Sequence, residues 1–507
     1  MAPSTSPRTR IGRRRPILGA VVLALALVVA ACGGGDNGSS DSASGGSGDS
    51  GGSATNAADC PVKALGSATA PVDITLWHAY VGLTKTTLEG LAAKFNASQN
   101  KVKVTVEAQG TYEELLKKFE DALGDPATLP DIVLTEDTTT QFMINTDQVV
   151  PAASCIAADP SAKATYDDIL PAVTAAYTVD GTLWPAAYSV STPILYANNN
   201  LLKAGGVDTT TYPATLAELR TAAEKMKAAN IPGLEAPLVM KIDSWYIEHW
   251  LTGVKKPVVN NDNGRSELAT TSRLDQPTTK ELFDWLKGMV DDGLLKAIPS
   301  TASGIDEYLA INNKTAAMLI QTSTAITTVN ALLEGSVKPG QLSDVGANTD
   351  ISQGLDIGVG LVPGIKAAGQ GQIGGSGWYL VKQKDQAAVA AGWSFMKFFL
   401  QTPNQVEWTL KASYLPVLKS AADDPRLQAD FTGTTKGKWL STAYQGLSNL
   451  NPRFPGPVIG PYKEFRTDVR AALDDVMLAG KPTAEAISTA NTKFQQALDT
   501  YKKDVGG

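Results

Sequence analysis

Strand-like and helix-like segments alternate along the chain after residue 70. Three apolar or alternating runs are predicted to be strands: residues 72–77, 101–107 and 131–135. Between the first two, apolar residues recur at helical spacing: Leu88, Leu91, Ala92 and Phe95. This alternation predicts an α/β fold with right-handed crossovers and a largely parallel sheet.

A second helix is predicted to begin just after Gly110. Thr111 and Glu114 have the spacing of a capping box, and a buried stripe follows at Leu115, Leu116, Phe119 and Leu123. The third strand runs directly into Glu136 and another predicted helix. Ligands of such sheets bind outside the carboxyl ends of the strands. Tyr112 and Glu136 fall at that edge.

The later part of the chain is less regular. Two further strands are predicted at residues 193–197 and 355–362. Helices are predicted at 214–229, 278–292, 385–401, 461–479 and 483–504. About 450 ordered residues exceed one comfortable hydrophobic core, so two lobes are expected.

The N-terminus has the pattern of an export signal. Arginines precede an apolar run of 15 residues, 17–31, which is shorter than the ~20 residues that a spanning helix needs. The run ends in a Val-Ala-Ala-Cys-Gly sequence that resembles the bacterial lipobox, in which Cys32 receives the lipid. A plain signal peptide with a chance cysteine is the alternative. The choice between Sec and twin-arginine export stays open.

Residues 33–59 form a low-complexity segment with nine glycines and seven serines. Such a composition cannot bury enough apolar surface to fold and is typical of a flexible tether. We therefore expect an exported protein that a lipid on Cys32 anchors to the outer face of the bacterial cell membrane.

Charge excludes one class of partner. The chain has 507 residues and a formal net charge of -7, and its first five arginines all lie in the predicted signal. The body is thus more acidic than the whole chain. An acidic body repels the phosphate backbone, so nucleic acid is not an expected partner.

The three cysteines suggest one disulfide. With Cys32 assigned to lipid, Cys60 and Cys155 remain as an even pair in an oxidising compartment, which favours a structural disulfide. Two free buried thiols are the alternative.

Catalytic chemistry has little support. The two histidines, His78 and His249, cannot form a multi-histidine metal site, and no Cys/His cluster has zinc spacing. No phosphate-binding Walker A loop is present. His78 follows a strand and is interpreted as a core or rim histidine. We therefore expect no enzyme activity, no metal and no cofactor.

Six segments carry a resemblance to a known family. They are residues 75–78, 110–113, 185–196, 374–380, 413–416 and 460–466. Together they resemble the family 1 extracellular solute-binding proteins of ABC importers, and most closely the glycerol-3-phosphate and glycerophosphodiester branch. The resemblance runs over nearly all of residues 70–504.

The resemblance implies a two-lobed periplasmic-binding-protein fold of type II, with a hinge of crossover segments. The implied parts are a lipoprotein signal peptide (1–31), the lipidated cysteine and tether (32–59), an N-terminal lobe (60–188 plus 377–413) and a C-terminal lobe (189–376 plus 414–507). A monomer is expected to close on a small-molecule ligand and to dock on a membrane permease.

The resemblance also implies a ligand site. Tyr112 and Glu136 would come from the N-terminal lobe, with Glu136 accepting hydrogen bonds from glycerol hydroxyls. Ser191 would donate to the ligand, and Gly375 would offer its backbone N–H. A family hydroxyl would correspond to Thr322 or Ser323, with the register open by one residue.

Phosphate and head group are assigned to three further residues. Tyr414 and Arg466 would hold the phosphate, and Trp245 would pack against the head group. Ile242 stands where some members have a second tryptophan, which predicts a wider pocket. An aromatic wall suits a choline cation, so glycerophosphocholine is favoured over glycerol-3-phosphate.

Each assignment has a structural alternative. Tyr112 fits a surface tyrosine and Glu136 a first-turn helix carboxylate. Arg466 fits a surface ion pair with a neighbouring acid, and Trp245 fits the core. At the level of function, the same scaffold binding an oligosaccharide such as maltose or trehalose is the main alternative, and a secreted hydrolase is a third.

Overall fold

The computed structural model describes residues 55–301, 305–338, 350–351 and 354–506. These residues belong to one compact unit that spans residues 53–507. The predicted signal peptide, Cys32 and nearly all of the tether lie outside the described residues. Within the described part, no helix combines the length and the apolar character needed to cross a membrane.

Two sheets organise the body, and their strands are labelled in chain order. The strands are β1 (Val72–His78), β2 (Val102–Ala108), β3 (Ile132–Glu136), β4 (Val149–Val150), β5 (Thr178–Val179), β6 (Thr182–Leu183), β7 (Ala187–Ser191), β8 (Pro193–Asn198), β9 (Ala236–Lys241), β10 (Leu295–Ile298), β11 (Ala316–Thr322), β12 (Ile357–Leu361) and β13 (Gly374–Val381).

The first sheet has the order β2-β1-β3-β13-β4, with β7 also paired to β13. The second sheet has the order β10-β9-β11-β8-β12, and β5 pairs β6 in a separate hairpin. Strands β7 and β8 are separated only by Thr192, so the chain passes there from one sheet to the other. The described body therefore has one sheet in each lobe.

Both sheets are mixed, which corrects the prediction of a largely parallel sheet. β1 is parallel to β2 and β3, whereas β13 is antiparallel to β3, β4 and β7. In the second sheet β9 is parallel to β10 and β11, whereas β8 is antiparallel to β11 and β12. The antiparallel strands are those next to the passages between the sheets, because there the chain enters a sheet without a crossover helix.

Helices cover both sheets. They span Gly82–Ser98, Tyr112–Ala122, Thr140–Asn145, Ala152–Ala158, Lys163–Asp167, Pro171–Tyr177, Asn199–Ala204, Leu216–Ala228, Ser244–Gly253, Pro277–Asp291, Asp306–Asn312, Ile326–Leu333, Gln386–Phe399, Thr402–Ala412, Lys419–Ala422, Pro425–Gly433, Thr435–Ser448, Tyr462–Met477 and Thr483–Val505. Asn261, Asp262 and Asn263 form a left-handed turn with φ of 54°, 50° and 60°.

Aromatic side chains fill the two main cores. In the first, Trp378 from β13 stacks on Phe399 with ring centroids 4.0 Å apart. In the second, the helix Tyr462–Met477 packs Phe465 against Phe494 at 4.8 Å. Each of these side chains is almost fully buried, and burial of such a side chain stabilises the fold by about 1.5–3 kcal/mol. The second core fixes the helix that carries Arg466 against the second sheet.

Two further connections hold the body together. Cys60 and Cys155 form a disulfide across 95 positions, which ties the start of the body to the helix Ala152–Ala158. Arg265 donates to four backbone carbonyls, those of Ala175, Ala176, Thr178 and Gly456, at 2.8–3.2 Å. Burial lowers the pKa of Arg265 to about 10.

The predicted lobe boundaries fall inside strands. A change of lobe at residue 188/189 and a return at 376/377 would divide β7 and β13. Gly374 pairs with Ser191 and Gly377 pairs with Tyr188, so both strands belong to the first sheet over their whole length. Because strand pairing is continuous there, residues 189–191 and 374–376 lie with the first sheet.

Candidate functional site

A cavity of about 370 Å³ lies between the two sheets. The first-sheet side contributes Tyr80, just after β1, together with Tyr112 and Tyr414. The second-sheet side contributes Tyr196 from β8 and Tyr308 from the helix Asp306–Asn312. The cavity therefore lies at the carboxyl ends of β1 and β2, where a ligand of an α/β sheet is expected.

Two tyrosine rings on the first-sheet wall of this cavity are backed by a buried tryptophan. The ring centroids of Tyr80 and Tyr414 lie 5.5 Å apart, and Tyr414 stacks on Trp408 at 5.5 Å with parallel planes. The Tyr80 hydroxyl shares a hydrogen bond of 2.6 Å with Ser376 on β13. Tyr414 therefore presents a fixed aromatic face to the cavity.

Tyr112 is the first residue of its helix. The predicted capping box is present, because Thr111 accepts from the Glu114 N–H and Glu114 accepts from the Thr111 N–H. The Tyr112 hydroxyl is buried and has no hydrogen-bond partner among the described residues. Burial raises the pKa of Tyr112 well above its ordinary value, Tyr80 raises it further, and the neighbouring hydroxyls of Tyr414 and Ser376 act in the opposite direction. The buried Tyr112 hydroxyl therefore lies beside those of Tyr414 and Ser376.

The structure separates the two hydroxyls left open by the sequence. Thr322, at the end of β11, lines the cavity, and its Oγ1 accepts from the Thr324 N–H at 3.2 Å. Ser323 is fully buried and exchanges hydrogen bonds with the backbone of Thr192. Thr322 is the residue on the cavity wall, and Ser323 fixes the passage between β7 and β8.

Arg466 lies outside this cavity, in an ion-pair cluster. Its Nη1 donates to Glu136 Oε1 at 2.6 Å, and its Nε donates to Glu248 Oε1 at 3.1 Å. The Arg466 side chain is 10% exposed, that of Glu248 is fully buried and that of Glu136 is 35% exposed. Arg466 therefore bonds partners distant in the sequence, and not a neighbouring acid at the surface.

Glu248 belongs to this cluster, and the sequence alone did not indicate it. Besides Arg466, it accepts from the Tyr462 hydroxyl at 2.7 Å and from Gln372 Nε2 at 3.1 Å. Three donors therefore satisfy its buried charge. The signal in the sequence is a carboxylate on the buried face of a helix, Ser244–Gly253, three residues after Trp245.

A further acid lies beside the cluster. Burial raises the pKa of Asp137 well above its ordinary value, and Arg466 acts in the opposite direction. The backbone turns at Glu136 into a short 3-10 helix, residues 137–139, before the helix Thr140–Asn145 begins. Glu136 and Glu248 are the two carboxylates that accept hydrogen bonds from the guanidinium.

Trp245 lies next to the start of β13. Its Nε1 donates to the Ile373 carbonyl at 3.3 Å, and a Cβ on Gly374 would lie 2.6 Å from its ring and 3.3 Å from Ser191 Oγ. Ser191 is itself buried. Ile242 is buried in the second core and does not line the cavity, so it does not widen the pocket as predicted. Ile242 directly follows the last residue of β9, and its side chain packs in the second core.

Gly375 is a glycine for a backbone reason. Its φ is 121°, and a Cβ there would lie 1.9 Å from the Ser189 carbonyl oxygen. β7 therefore approaches β13 too closely for any side chain at this position. The predicted contact of its N–H with ligand stays a prediction.

The predicted site residues thus fall into three neighbouring groups. Tyr112, Thr322 and Tyr414 line the cavity, and Glu136 and Arg466 form the ion pair. Ser191, Trp245 and Gly375 surround the start of β13. Ser376 connects the groups, because it pairs with Glu136 in the sheet and bonds Tyr80 at the cavity.

The two histidines are structural within this arrangement. His78 is fully buried and its Nδ1 accepts from the Tyr80 N–H at 3.0 Å. His249 contacts the Gln372 backbone at 3.0 Å through Nδ1. Burial lowers the pKa of each to about 4. Among the described residues, no group of three or more His, Cys, Asp or Glu side chains is placed to hold a metal ion.

Comparisons with known proteins agree with this architecture. A model of the family described as "bacterial extracellular solute-binding protein" matches residues 90–433. The sn-glycerol-3-phosphate-binding periplasmic protein UgpB of Escherichia coli K12 is 24% identical over 451 residues, covering 87% of this chain and 95% of that protein.

Solved structures of similar proteins share the fold. The GacH receptor of Streptomyces glaucescens, studied unliganded and with acarbose, has a TM-score of 0.66 at 21% identity and covers 85% of this chain and 100% of its own. UgpB from Mycobacterium tuberculosis in complex with glycerophosphocholine has a TM-score of 0.65 at 17% identity, with 85% and 99% covered. The two-lobed α/β fold is common to all of them.

Proposed function

The chain belongs to the bacterial extracellular solute-binding protein family, and from this premise we propose that it captures a glycerophosphodiester, or glycerol-3-phosphate, between its lobes. Within that class we propose glycerophosphocholine. The family's role is solute binding for transport, so the loaded protein would deliver its ligand to the membrane permease of an ABC importer. No turnover of the ligand is expected from the purified protein.

The placement of Arg466 carries this proposal. Glu248 holds the guanidinium from the buried side, while its other partner is the half-exposed Glu136. A ligand phosphate would take the place of Glu136 and accept two parallel hydrogen bonds. Glu136 would then be free to accept from the glycerol hydroxyls, as its family counterpart is expected to do.

The tyrosine wall supports a choline head group. The cavity side chains among the described residues carry no charge, and Tyr80 and Tyr414 line it. A quaternary ammonium over such rings would gain about 0.5–2 kcal/mol per contact. The Tyr112 hydroxyl, which also lines the cavity, would be available to a polar group of the ligand.

One observation favours an oligosaccharide as the second candidate. Sugar rings also pack on tyrosine faces, and the similar GacH receptor has been crystallised with acarbose. For such a neutral ligand Arg466 would keep Glu136 as its partner. The two candidate ligands therefore differ in whether their binding depends on hydrogen bonds from Arg466.

Titration calorimetry on the purified protein tests the proposal. We expect one-to-one binding of glycerophosphocholine or glycerol-3-phosphate, and we expect Arg466→Ala to abolish it. Arg466→Lys should weaken binding, because lysine lacks the planar guanidinium that donates two parallel hydrogen bonds. Maltose and trehalose are the competing ligands. Binding of a sugar alone, insensitive to Arg466→Lys, would overturn the phosphate assignment.

Anchoring is a separate part of the proposal. We propose that the exported monomer is held at the cell membrane by a lipid on Cys32, followed by the tether. A Cys32→Ala variant should then appear in the culture medium, while the wild type stays with the membrane fraction. Equal distribution of the two proteins would count against the anchor.

A further inference from the structure

The cavity has two chemically different walls. The first-sheet wall has three tyrosines, Tyr80, Tyr112 and Tyr414, beside the smaller apolar residues Ala79, Val81 and Leu83. The second-sheet wall is mainly aliphatic, with Leu309, Leu319, Ala325, Val329, Leu332 and Leu333 among its members, and it also carries two tyrosines, one asparagine and three threonines. A site for a small polar solute needs only a few apolar side chains, so we expect this wall to contact an apolar part of the ligand.

Several polar groups on the aliphatic wall are already paired inside the protein. The Tyr196 hydroxyl donates to the Thr322 carbonyl at 2.8 Å, and the Thr322 hydroxyl accepts from the Thr324 N–H at 3.2 Å. A polyhydroxylated group placed here would lose its hydrogen bonds to water without regaining them. An apolar group has no hydrogen bonds to water to lose, and its removal from water contributes favourable free energy.

Polar groups connected to the ion pair lie at the other wall. Tyr112 presents a buried hydroxyl beside Tyr414 and Ser376, and Ser376 leads from Tyr80 to Glu136, the partner of Arg466. The site therefore runs from an ionic end, through a neutral hydroxyl, to an aliphatic end. A ligand that matches this order is amphipathic.

We propose that the natural ligand carries an apolar chain, and that this chain occupies the aliphatic side of the cavity, opposite the tyrosines. The inference rests on the proposed function for its polar end. Its substrate class is a glycerophosphodiester that bears one acyl or alkyl chain, as in a singly acylated glycerophosphocholine. Both sheets contact the chain, so its burial favours the closed arrangement of the lobes.

Calorimetry with matched ligands tests this proposal. Glycerophosphocholine is compared with its 1-hexanoyl derivative, whose chain is short enough to stay monomeric. Full burial of five chain carbons would tighten binding on the order of a thousandfold. We expect at least a tenfold gain, which corresponds to burial of less than half of the chain.

Two cavity variants and one control locate the effect. Leu332→Asn makes the aliphatic wall polar and Ala325→Phe fills the space, so each should abolish most of the gain, measured as the ratio of the glycerophosphocholine Kd to the hexanoyl-ligand Kd in the same variant. Leu478→Asn is the matched control, because Leu478 is exposed and lies outside the cavity. It should change neither Kd.

The outcomes separate this inference from the proposed function. If the hexanoyl ligand binds no tighter, or if Leu332→Asn weakens both ligands equally, the chain assignment is overturned while the glycerophosphate function stands. If neither phosphate ligand binds, the proposed function fails. The Kd values of hexyl glucoside and glucose then test the apolar site. Tighter binding of hexyl glucoside that Leu332→Asn removes supports the site, and equal binding of the two ligands overturns it.

Discussion

Arg466 donates a hydrogen bond of 2.6 Å to Glu136 across a separation of 330 positions. The helix that carries Arg466 packs on the second core, whereas Glu136 ends β3 of the first sheet. A single ion pair thus connects the two lobes at the proposed phosphate position. Its strength depends on Glu248, which fixes the other side of the guanidinium.

Loss of Glu248 should be strongly destabilising. Glu248→Ala leaves the buried Arg466 without its inner partner and leaves Tyr462 and Gln372 without an acceptor. Breaking a buried pair from one side costs about 3–5 kcal/mol of unfolding free energy. Urea denaturation measures this loss.

An ion pair nearer the surface provides the matched control. Glu407 pairs with Lys94 at 3.3 Å and Lys411 at 2.7 Å, and its side chain is 29% exposed. Glu407→Ala should change the unfolding free energy by no more than about 1 kcal/mol. Equal losses in the two variants would show that the charge on Glu248 is not structurally required.

Stability should fall between pH 6.5 and pH 4 because of His249. Its pKa in the folded protein is about 4 because burial disfavours the charged form, against about 6.5 when unfolded. Above pH 6.5 both states are neutral and pH has no effect through this group. Below it only the unfolded state binds the proton, so unfolding becomes easier by about 1.4 kcal/mol per pH unit.

A comparison with His249→Gln isolates this contribution. From pH 7 to pH 5 the wild type should lose about 2 kcal/mol more than the variant, measured by urea denaturation. His78 has a similar pKa and is present in both proteins, so its effect cancels. If wild type and variant lose the same unfolding free energy between pH 7 and pH 5, His249 takes up a proton in the folded state as readily as in the unfolded state, and this prediction is wrong.

Gly375→Ala should disrupt the passage between the sheets. The added Cβ would overlap the Ser189 carbonyl oxygen, and the φ of 121° is unfavourable for alanine. We expect a loss of more than about 2 kcal/mol in unfolding free energy. Gly90→Ala is the control: its helix has open space at that position, so alanine should stabilise by up to ~1 kcal/mol. A stable Gly375→Ala protein that fails only to bind ligand would assign the glycine to the ligand.

Removal of the Cys60–Cys155 disulfide should destabilise the body. The bond closes a chain segment of 95 positions, and a native disulfide of this kind contributes about 2–5 kcal/mol. The Cys60→Ser/Cys155→Ser protein should unfold at lower urea concentration than the wild type. A reductant should lower the wild-type midpoint to that of the double variant and leave the double variant unchanged.

Local patterns in the sequence predicted several helices and strands well. The capping box at Thr111 needs only Glu114, three residues away, so both ends of the interaction lie in one window. The sequence did not predict β13, which contains Gly374, Gly375 and Gly377. Their role is tertiary: β13 is paired on both sides, and β7 and buried aromatic rings leave no room for larger residues.

The site was predictable only in part, for the same reason. Resemblance located Tyr112 and Arg466, but partners at 218 and 124 positions from Glu248 leave no local signal. The choice between Thr322 and Ser323 depends on which side of β11 faces the cavity, which the fold decides. Sequence therefore identified many groups of the site and missed how they neutralise one another.

Arg265 has a different kind of consequence, for mutational tolerance. It binds only main-chain carbonyls in its four contacts, so those acceptors remain whatever side chains stand at Ala175, Ala176 and Thr178. Substitutions that fit the local space are therefore neutral for this connection, whereas Arg265 itself has no substitute with five donors in a fixed plane. The connection between these segments therefore depends on the side chain of one residue, and the positions that supply its acceptors can be substituted without loss of the connection.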